Sequence, residues 1–487
     1  MNWYDQIHHI GPAFALLVGA GVVMGADLVM PRRAPVLGLS LVALLAAAGW
    51  ALWQVLAGTE GPAISGAIVV DDFALFFTFL LISVTGAVVI VTYEGLSRIE
   101  ARPEFFALLL TATGAMILLA QAQDLIAIFV FLETTAIAQF VLAGIARDDR
   151  SSEAGLKYLL TGAVAAAVLL YGFAFLFGLA GTTSLEGIAA FVAEGSEGTE
   201  LALVLGFVLV AAGLGFKLTI APFQAWVPDV YEGAPTTVTS FLSVASKAAG
   251  FAIVLRIFYT GLGGGDTFIA QHWAGLFAVL AGVSMTFGNV AAILQTNVKR
   301  LLAYSSIAQA GNIAVGLAAV AAGSTVGPAA VLFFLGTYAA TNLGAFFCVI
   351  VVSERIGSER LEDYAGLVKR SPAVAVVLLL CLLSLTGLPP TAGFLAKLFI
   401  FNSGIQTNHD WMVWLVAIAV LNSAISAFYY LRWARTMLLD EPTDPTPFRP
   451  TAPVQGLLGL AAAAVLFFGL VPTPLLDAAQ RAAASLL

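Results

Sequence analysis

Long uninterrupted apolar runs are the feature that most restricts what this chain can fold into. Many of them exceed the ~18 apolar residues that cross a bilayer as a helix. The run over 451–472 does not alternate between apolar and polar residues, as a strand of a membrane barrel would. Charged residues make up 10% of the chain, against roughly 25% in a soluble domain. The sequence therefore predicts an all-α, polytopic membrane protein, because helices satisfy their own backbone hydrogen bonds in lipid.

The runs predict about fourteen transmembrane helices. No Lys or Arg precedes the first run, so we expect a retained helix there and not a secretory signal. The seventh and twelfth spans are long, and each contains an internal proline. The predicted spans are 11–30, 35–56, 72–93, 104–121, 123–145, 155–181, 201–229, 236–259, 272–295, 300–322, 327–352, 372–403, 411–437 and 452–474.

The positions of basic residues indicate the orientation of the chain, because cytoplasmic loops carry the excess of Lys and Arg. Odd-numbered loops other than the seventh hold these residues, and even-numbered loops hold none. We therefore expect an even number of helices, with both termini on the periplasmic side. Arg481 lies in the outer tail, and Arg256, near the outer end of span 8, is expected to snorkel to the interface. The basic residues assigned to the cytoplasmic side are Arg32, Arg33, Arg98, Arg102, Arg147, Arg150, Lys157, Lys299, Arg300, Arg355, Arg360, Lys369, Arg370, Arg432, Arg435 and Arg449.

Four ionisable residues remain at membrane depth. Glu133 and Lys217 lie close to the centres of spans 5 and 7, Lys247 is at the centre of span 8, and Lys397 lies in the second half of span 12. Each such charge costs ~2.5–3.5 kcal/mol at a helix centre on insertion scales. The four side chains are therefore expected to face the protein interior and to interact with one another.

Three lysines and one carboxylate are a poor set for static ion pairs, although a structural Lys–Glu pair that ties helices together is an alternative. A lysine beside a glutamate can change its protonation state when the glutamate moves or is neutralised. Arginine would not serve, because it stays charged in proteins. The set predicts a proton relay.

Internal prolines predict breaks in spans 7 and 12, at Pro222 and at Pro389 and Pro390, because proline removes a backbone donor and clashes with the preceding turn. Each broken span is the fourth of five, in helices 4–8 and in helices 9–13, which predicts two inverted repeats around a transport site. The predicted units are an N-terminal three-helix segment at 1–103, a first repeat at 104–260, a second repeat at 261–440, and a C-terminal helix and tail at 441–487.

Polar residues at helical spacing extend the predicted path between Lys247 and Lys397. Their faces could order a water chain, although hydrogen bonding between packed helices is an equally weighted alternative for each face. The members that we assign to a hydration path are Ser243, Ser305, Gln309, Asn312, Tyr338, Thr341 and Asn342.

No metal or cofactor site is expected on this chain. Cys348 and Cys381 lie in apolar spans without a CxxC pattern, which is typical of buried small hydrophobic residues. The glycine-rich stretch Gly261–Gly265 follows no strand, so it is not a dinucleotide fingerprint. No nucleic acid partner is expected.

Three segments carry a resemblance to a known family. FKLTIAPFQAWVPDVYEGAPTTVTSFLSVASKAAG at 216–250 and LTGLPPTAGFLAK at 385–397 resemble helices 7, 8 and 12 of subunit N of bacterial NADH–quinone oxidoreductase, respiratory complex I. NVKRLLAYSSIAQAG at 297–311 resembles a motif of the wider antiporter-like group. The similarity extends over essentially the whole chain.

The resemblance implies proton translocation coupled to NADH oxidation by quinone on partner subunits. It implies that Glu133 and Lys217 form a coupling pair, that Lys247 is the central relay and that Lys397 leads to the outer side. NADH, FMN, iron–sulfur clusters and quinone are expected on other subunits, and other membrane subunits of the complex and lipids are the expected partners. Lys397, together with the lack of a mid-membrane histidine, favours subunit N over its sister subunits.

Two other functions stay open at this point. One is a subunit of a multisubunit Na⁺/H⁺ antiporter, and the other is an inert membrane scaffold within the complex. Mitochondrial members of the family lack the first three helices, so the resemblance implies a bacterial inner membrane. The pattern does not decide whether Lys157 passes protons inward or only anchors span 6 at the interface.

Overall fold

Helices account for most of the residues that the computed structural model describes, which are 3–30, 35–95, 99–194, 198–263, 268–442 and 444–486. The predicted all-α, polytopic membrane class is confirmed. One small antiparallel hairpin, β1 (Gly61–Ala63) and β2 (Ile68–Val70), was not predicted. The helices are α1 (Trp3–Val29), α2 (Val36–Ala57), α3 (Asp72–Gly95), α4 (Arg102–Gln121), α5 (Leu125–Ala143), α6 (Asp149–Ala180), α7 (Leu185–Glu194), α8 (Glu200–Leu218), α9 (Val227–Gly233), α10 (Thr236–Gly261), α11 (Phe268–Ile293), α12 (Val298–Ala321), α13 (Gly327–Ile356), α14 (Leu367–Arg370), α15 (Pro372–Thr386), α16 (Ala392–Ile405), α17 (Asp410–Leu439), α18 (Ala452–Leu470) and α19 (Thr473–Ala484).

Thirteen helices within the described ranges are long and apolar enough to cross a membrane. The shorter apolar helices α15 and α16 together replace the single predicted span at 372–403. α6 begins at Asp149, six residues before the predicted start, because the side chain of Asp148 caps it by accepting from the Ser151 backbone N–H. The short helices α7 and α19 were not predicted.

The helices at the centre of the molecule are α10, α12 and α13. Their side chains are buried almost throughout, and their sequences are less apolar than those of the more exposed spanning helices. Burial on all sides explains why these helices tolerate polar faces, since their polar groups meet other protein groups and not lipid. Lys247 and most of the predicted polar stripes lie on these three helices.

The capping residues at the starts of α5 and α12 match each other, which favours the predicted repeat. Asp124 caps α5 by accepting from two backbone N–H groups, and Asn297 caps α12 in the same way. Each cap residue also forms an antiparallel bridge to a distant segment, Asp124 with Ser184 and Asn297 with Arg360. The units at 1–103, 104–260, 261–440 and 441–487 stay a prediction.

The two broken spans also match each other. A residue in the left-handed conformation directly follows each helix, Thr219 after α8 and Gly387 after α15. In each case a cis peptide bond follows, before Pro222 and before Pro390. Both prolines therefore lie in the non-helical segments that divide the spans.

Some residues used in the sequence analysis lie outside the described ranges. They are Arg32, Arg33 and Arg98 from the loop-charge pattern, and Gly264 and Gly265 from the glycine-rich stretch.

Candidate functional site

Lys247 lies in the middle of α10 and is 1% exposed. Its ammonium group donates to the backbone oxygen of Ser306 at 2.5 Å and to the hydroxyl of Ser306 at 2.6 Å. The ammonium also lies 5.7 Å from the ring centre of Tyr338, whose hydroxyl donates to the Ser306 hydroxyl at 3.2 Å. Lys247 is therefore held by neutral oxygen atoms on α12 and by the π-face of a tyrosine on α13.

A wide helical turn precedes Lys247. Residues Leu242–Ser246 form π-helix, and α-helix resumes at Lys247. Single π-helical turns inside α-helices occur frequently at functional sites. Here, Ser246 contacts α5 while the next residue, Lys247, contacts α12.

Lys217 is the penultimate residue of α8 and is buried. Its ammonium donates to Oε1 of Gln139 at 2.8 Å. The same oxygen accepts from the hydroxyl of Ser246 at 3.0 Å and from that of Tyr158 at 3.1 Å. Gln139 thus joins α5 to α6, α8 and α10.

Glu133 lies on α5, six residues before Gln139, and its side chain is half-buried. It lines a small cavity between α5, α6 and α8, and Lys217 lines the same cavity. Among the ion pairs of the described residues, none includes Glu133, Lys217, Lys247 or Lys397. The structure therefore places Glu133 and Lys217 at one cavity without joining them in a salt bridge.

Lys397 lies on α16 and points back to the end of α15. Its ammonium donates to the backbone oxygens of Thr386 at 2.8 Å and Leu385 at 3.2 Å. The last carbonyls of a helix lack partners within the helix, and the helix dipole makes this end negative. Lys397 thus satisfies and neutralises the end of the first half of span 12.

A small cavity lies between Lys247 and Lys397. Its walls include Gln309, Tyr338, Thr341, Ser384 and Lys397. Gln309 donates to the Leu385 oxygen at 2.8 Å, and the Thr341 and Ser384 hydroxyls lie 2.9 Å apart. The cavity therefore runs from the tyrosine beside Lys247 to the ammonium of Lys397.

The other predicted stripe residues fall on three different contacts. Asn312 donates to Gln309 at 3.2 Å, so it adjoins the cavity. Asn342 donates to Ser243 at 2.8 Å, which joins α13 to α10. Ser305 bonds the hydroxyl of Tyr430 on α17.

Two contacts of the lysines were missed from the sequence. Ser306, next to the predicted Ser305, receives Lys247, and Gln139 receives Lys217. Gln139 is a polar residue in the same apolar span as Glu133, and that shared span was the signal in the sequence. Which of two neighbouring serines faces Lys247 depends on the rotation of α12, which the sequence does not specify.

The prediction for Arg256 was wrong. Arg256 does not snorkel, since its side chain is 1% exposed. It forms two hydrogen bonds of 2.7 Å with the carboxylate of Asp71, donates to the Ala120 oxygen at 3.1 Å and lies over the ring of Phe73. Asp71 directly precedes α3, so this paired charge fastens the end of α10 to α3.

Lys157 lies within a charge cluster on α6, α9 and α12. Its ammonium bonds Asp229 at 2.7 Å and Glu153 at 2.8 Å, and Arg300 bonds Asp229 at 2.8 Å from the other side. Burial alone raises the pKa of Asp229, but the hydrogen bonds and the positive charges of Lys157 and Arg300 together outweigh it, so this pKa lies below its usual value. Lys157 thus joins α6 to α9 through Asp229.

The described residues contain no group of three or more His, Cys, Asp or Glu side chains that could hold a metal ion. Cys348 and Cys381 are buried and free. The chemistry that the site offers is proton binding and release by lysines and a glutamate, with hydroxyls and amides between them.

Comparisons with known proteins agree with the geometry. Residues 122–425 match the family described as NADH:quinone oxidoreductase/Mrp antiporter, TM. NADH-quinone oxidoreductase subunit N of Dehalococcoides mccartyi is 40% identical over 481 residues, which cover 97% of this chain and 98% of that protein.

Solved structures show the same fold. A chain of respiratory complex I from Thermus thermophilus superposes with a TM-score of 0.80 and 33% identity over 96% of this chain and 98% of that one. A chain of the Mrp complex from Dietzia sp. superposes with a TM-score of 0.82 but only 22% identity, over 100% of this chain and 98% of that one. The second likeness therefore shows the fold alone.

Proposed function

Because this chain belongs to the subunit N family of NADH-quinone oxidoreductases, we propose that it moves protons across the membrane through Glu133, Lys217, Lys247 and Lys397. The resemblance found in the sequence is confirmed, and the chain is an antiporter-like membrane subunit of this oxidoreductase. Its partners are other membrane subunits of complex I, as in the Thermus thermophilus assembly. The oxidation of NADH by quinone then takes place elsewhere in the complex.

One observation carries the proposal. The ammonium groups of Lys217, Lys247 and Lys397 are buried, and among the described residues each is bonded to neutral oxygen atoms and not to a carboxylate. A lysine in a buried ion pair cannot lose its proton without leaving an unpaired carboxylate, which is costly. Lysines on neutral acceptors avoid that cost, so the arrangement favours reversible protonation over static pairing.

The spacing of the contacts supports an order for the relay. Glu133 and Lys217 share a cavity, and Gln139 joins Lys217 to Ser246, the residue before Lys247. Beyond Lys247, Ser306 and Tyr338 lead to the second cavity, which ends at Lys397. We propose that protons pass in this order toward the outer side.

The remaining assignments follow from the family. NADH, FMN, iron–sulfur clusters and quinone are held by other subunits. The chain lies in a bacterial inner membrane, with both termini on the periplasmic side. The two five-helix units at 104–260 and 261–440 each supply part of the path, and the segments at 1–103 and 441–487 flank them.

Three alanine variants of the whole complex test the proposal. Lys247→Ala should abolish the pumping that depends on this subunit, and Lys217→Ala and Glu133→Ala should impair it, measured as protons per electron in sealed vesicles. Lys369→Ala is a matched control, because Lys369 is an exposed lysine in a surface ion pair with Glu441, and such pairs contribute about 0–1 kcal/mol. Normal stoichiometry in all three assembled variants would refute the relay and leave the scaffold alternative.

Co-purification separates the proposal from the antiporter alternative. A complex I subunit should be isolated together with flavin- and iron–sulfur-bearing subunits. Sodium-dependent proton exchange by a chain purified without them would favour a Na⁺/H⁺ antiporter instead.

A further inference from the structure

Gln139 holds a position between the first two lysines that the proposed relay does not yet explain. Its side chain is fully buried on α5. Oε1 accepts from Lys217 at 2.8 Å, from Ser246 at 3.0 Å and from Tyr158 at 3.1 Å. Three donors from three helices therefore converge on one amide oxygen.

The orientation of this amide follows from its partners. An ammonium group only donates, so the atom that faces Lys217 must be the oxygen. Within the described part of the chain, the one hydrogen bond that Nε2 donates is a weak one, to the sulfur of Met116 at 3.9 Å. Tyr158 is itself held in place, because it stacks on Trp226 with ring centres 4.2 Å apart. The acceptor is thus fixed in position while its amino group contributes little.

Two acceptors on α5 are available to Lys217. Glu133 lines the same small cavity as Lys217, and Gln139 binds Lys217 in the structure. A carboxylate attracts an ammonium group more strongly than an amide oxygen does. Without Gln139, we therefore expect Lys217 to turn toward Glu133 and to leave Ser246.

Gln139 connects Lys217 to the residue that precedes Lys247. Ser246 ends the π-helical turn and precedes Lys247 in the chain. Gln139 has no proton to exchange at physiological pH, so it does not carry protons itself. It keeps the Lys217 ammonium at the side of the cavity that is nearer to α10.

We propose, on the basis of the proposed function, that Gln139 is a positioning residue that holds the ammonium of Lys217 away from Glu133 and beside Ser246, and so sets the connection between the first two lysines of the relay. The amide must be neutral for this role. A carboxylate at the same place would pair with Lys217 and hold it.

Two variants of Gln139 in the assembled complex test this role. Gln139→Leu removes the acceptor, and Gln139→Glu keeps the shape but adds a charge. Both should lower the rate of proton pumping through this subunit by about tenfold, because leucine removes the hydrogen bond that positions Lys217, whereas glutamate pairs with Lys217 and holds it. The glutamate variant also carries the test if the leucine variant does not assemble.

Which of the two Gln139 variants is more impaired in pumping distinguishes a positioning role from a packing role. If Gln139 only fills space, the isosteric glutamate should pump more nearly like the wild type than leucine does. The proposal expects the glutamate variant to be at least as impaired as the leucine variant. Gln121→Leu is the matched control, because Gln121 is buried on α4 and its Oε1 has no hydrogen-bond partner among the described residues.

Lys247→Ala, measured in the same vesicles, distinguishes the two levels of failure. Wild-type pumping by Gln139→Glu, with Lys247→Ala inactive, would overturn the role of Gln139 and leave the relay in place. Wild-type pumping by Lys247→Ala would overturn both. Impaired pumping by both Gln139 variants, with Gln121→Leu normal, is the result expected here.

Discussion

The two broken spans each leave backbone oxygens at a helix end that need hydrogen-bond donors, and different residues supply those donors. At the end of α8, the Phe216 oxygen accepts from the indole N–H of Trp226 at 3.3 Å. At the end of α15, the oxygens of Leu385 and Thr386 accept from the ammonium of Lys397. A neutral group caps the first break, whereas a relay lysine caps the second.

Equivalent positions in the two breaks make the difference clearer. Asp229 lies seven residues after the cis-proline Pro222, and Lys397 lies seven residues after Pro390. The acidic residue bonds Lys157 and Arg300, away from the relay, while Lys397 turns back to the break. The lysine of the first break, Lys217, instead precedes its proline and bonds a side chain.

This comparison indicates two kinds of relay lysine. Lys397 is fixed by backbone oxygens at the negative end of a helix, which cannot move without unwinding α15. Lys217 is held by one amide side chain and has a second acceptor that lines the same cavity. Lys217 is therefore suited to moving between partners, and Lys397 to receiving protons at a fixed place.

The largest expected effect is on the two lysines themselves. Lys217→Met and Lys397→Met should both impair pumping per electron. They should differ in stability, because loss of Lys397 leaves the Thr386 oxygen without its donor, whereas Gln139 keeps two donors when Lys217 is lost. We expect the free energy of unfolding of Lys397→Met to be lower than that of Lys217→Met by about 1–3 kcal/mol.

Pulse proteolysis of the purified complex in increasing denaturant measures this difference for the subunit. Both variants lose one buried charge, so the gain from removing it cancels in the comparison. Equal stability of the two variants would contradict the capping role of Lys397.

A smaller effect is expected at the left-handed residues that end the two half-helices. Gly387 has φ +90°, and an added Cβ would lie 2.9 Å from Cδ of Lys397. Gly387→Ala should therefore cost about 1–2 kcal/mol of stability and displace Lys397, lowering pumping.

Thr219 is the matched position, with φ +62° and a β-branched side chain. Thr219→Gly relieves its strain and should stabilise the subunit by about 1 kcal/mol or less, since glycine also loses more freedom on folding. Pumping and proteolysis in the same preparations check the pair. Unchanged pumping in Gly387→Ala would show that the position of Lys397 is not critical.

The smallest effect is expected at Asp229, which is partly exposed. Asp229→Asn should lower stability by about 1 kcal/mol or less, because partly exposed ion pairs contribute little. The pKa of Asp229 is lowered in the folded protein, with burial opposed by the stronger combined effect of the hydrogen bonds and the positive charges of Lys157 and Arg300. Its contribution is therefore present at neutral pH and is lost only as the pH falls through the lowered value.

Stability measured against pH tests the Asp229 assignment. The wild type should lose its advantage over Asp229→Asn in acid, and the two should converge there. A difference that persists at a pH well below the lowered pKa of Asp229 would mean that Asp229 acts through packing.

The charges of the relay could be found from the sequence, but their partners could not. Lys217, Lys247 and Lys397 stand out because a charge inside an apolar run is costly wherever the helix lies. Their acceptors, Gln139 and Ser306, depend on how neighbouring helices are rotated against each other. That rotation is set by packing over the whole bundle, so the neighbouring Ser305 was selected in place of Ser306.

The partner of Arg256 could not be found from the sequence either. Its distance from the middle of the span favoured an interfacial position, because long basic side chains reach water from helix ends. Its partner, Asp71, lies 185 residues earlier in the chain. Only the packing of α3 against α10 brings them together, and no local pattern in either segment indicates it.

The break positions were accessible to sequence reasoning for a local reason. Proline cannot continue a helix without losing a hydrogen bond, so Pro222 and Pro390 mark segments that are not helical in the structure. The caps of these breaks were not accessible. Trp226 and Lys397 both follow their prolines, and which of them carries a relay charge is visible only in the contacts.

The most direct test of the relay is Lys247→Arg in the assembled complex, measured as protons per electron in sealed vesicles. Arginine keeps the positive charge and the hydrogen-bond donors but does not release its proton in proteins. If Lys247 must bind and release a proton, the arginine variant should pump no better than Lys247→Ala while still assembling. Wild-type stoichiometry with arginine at this position would show that only a fixed charge is needed, and would contradict the relay.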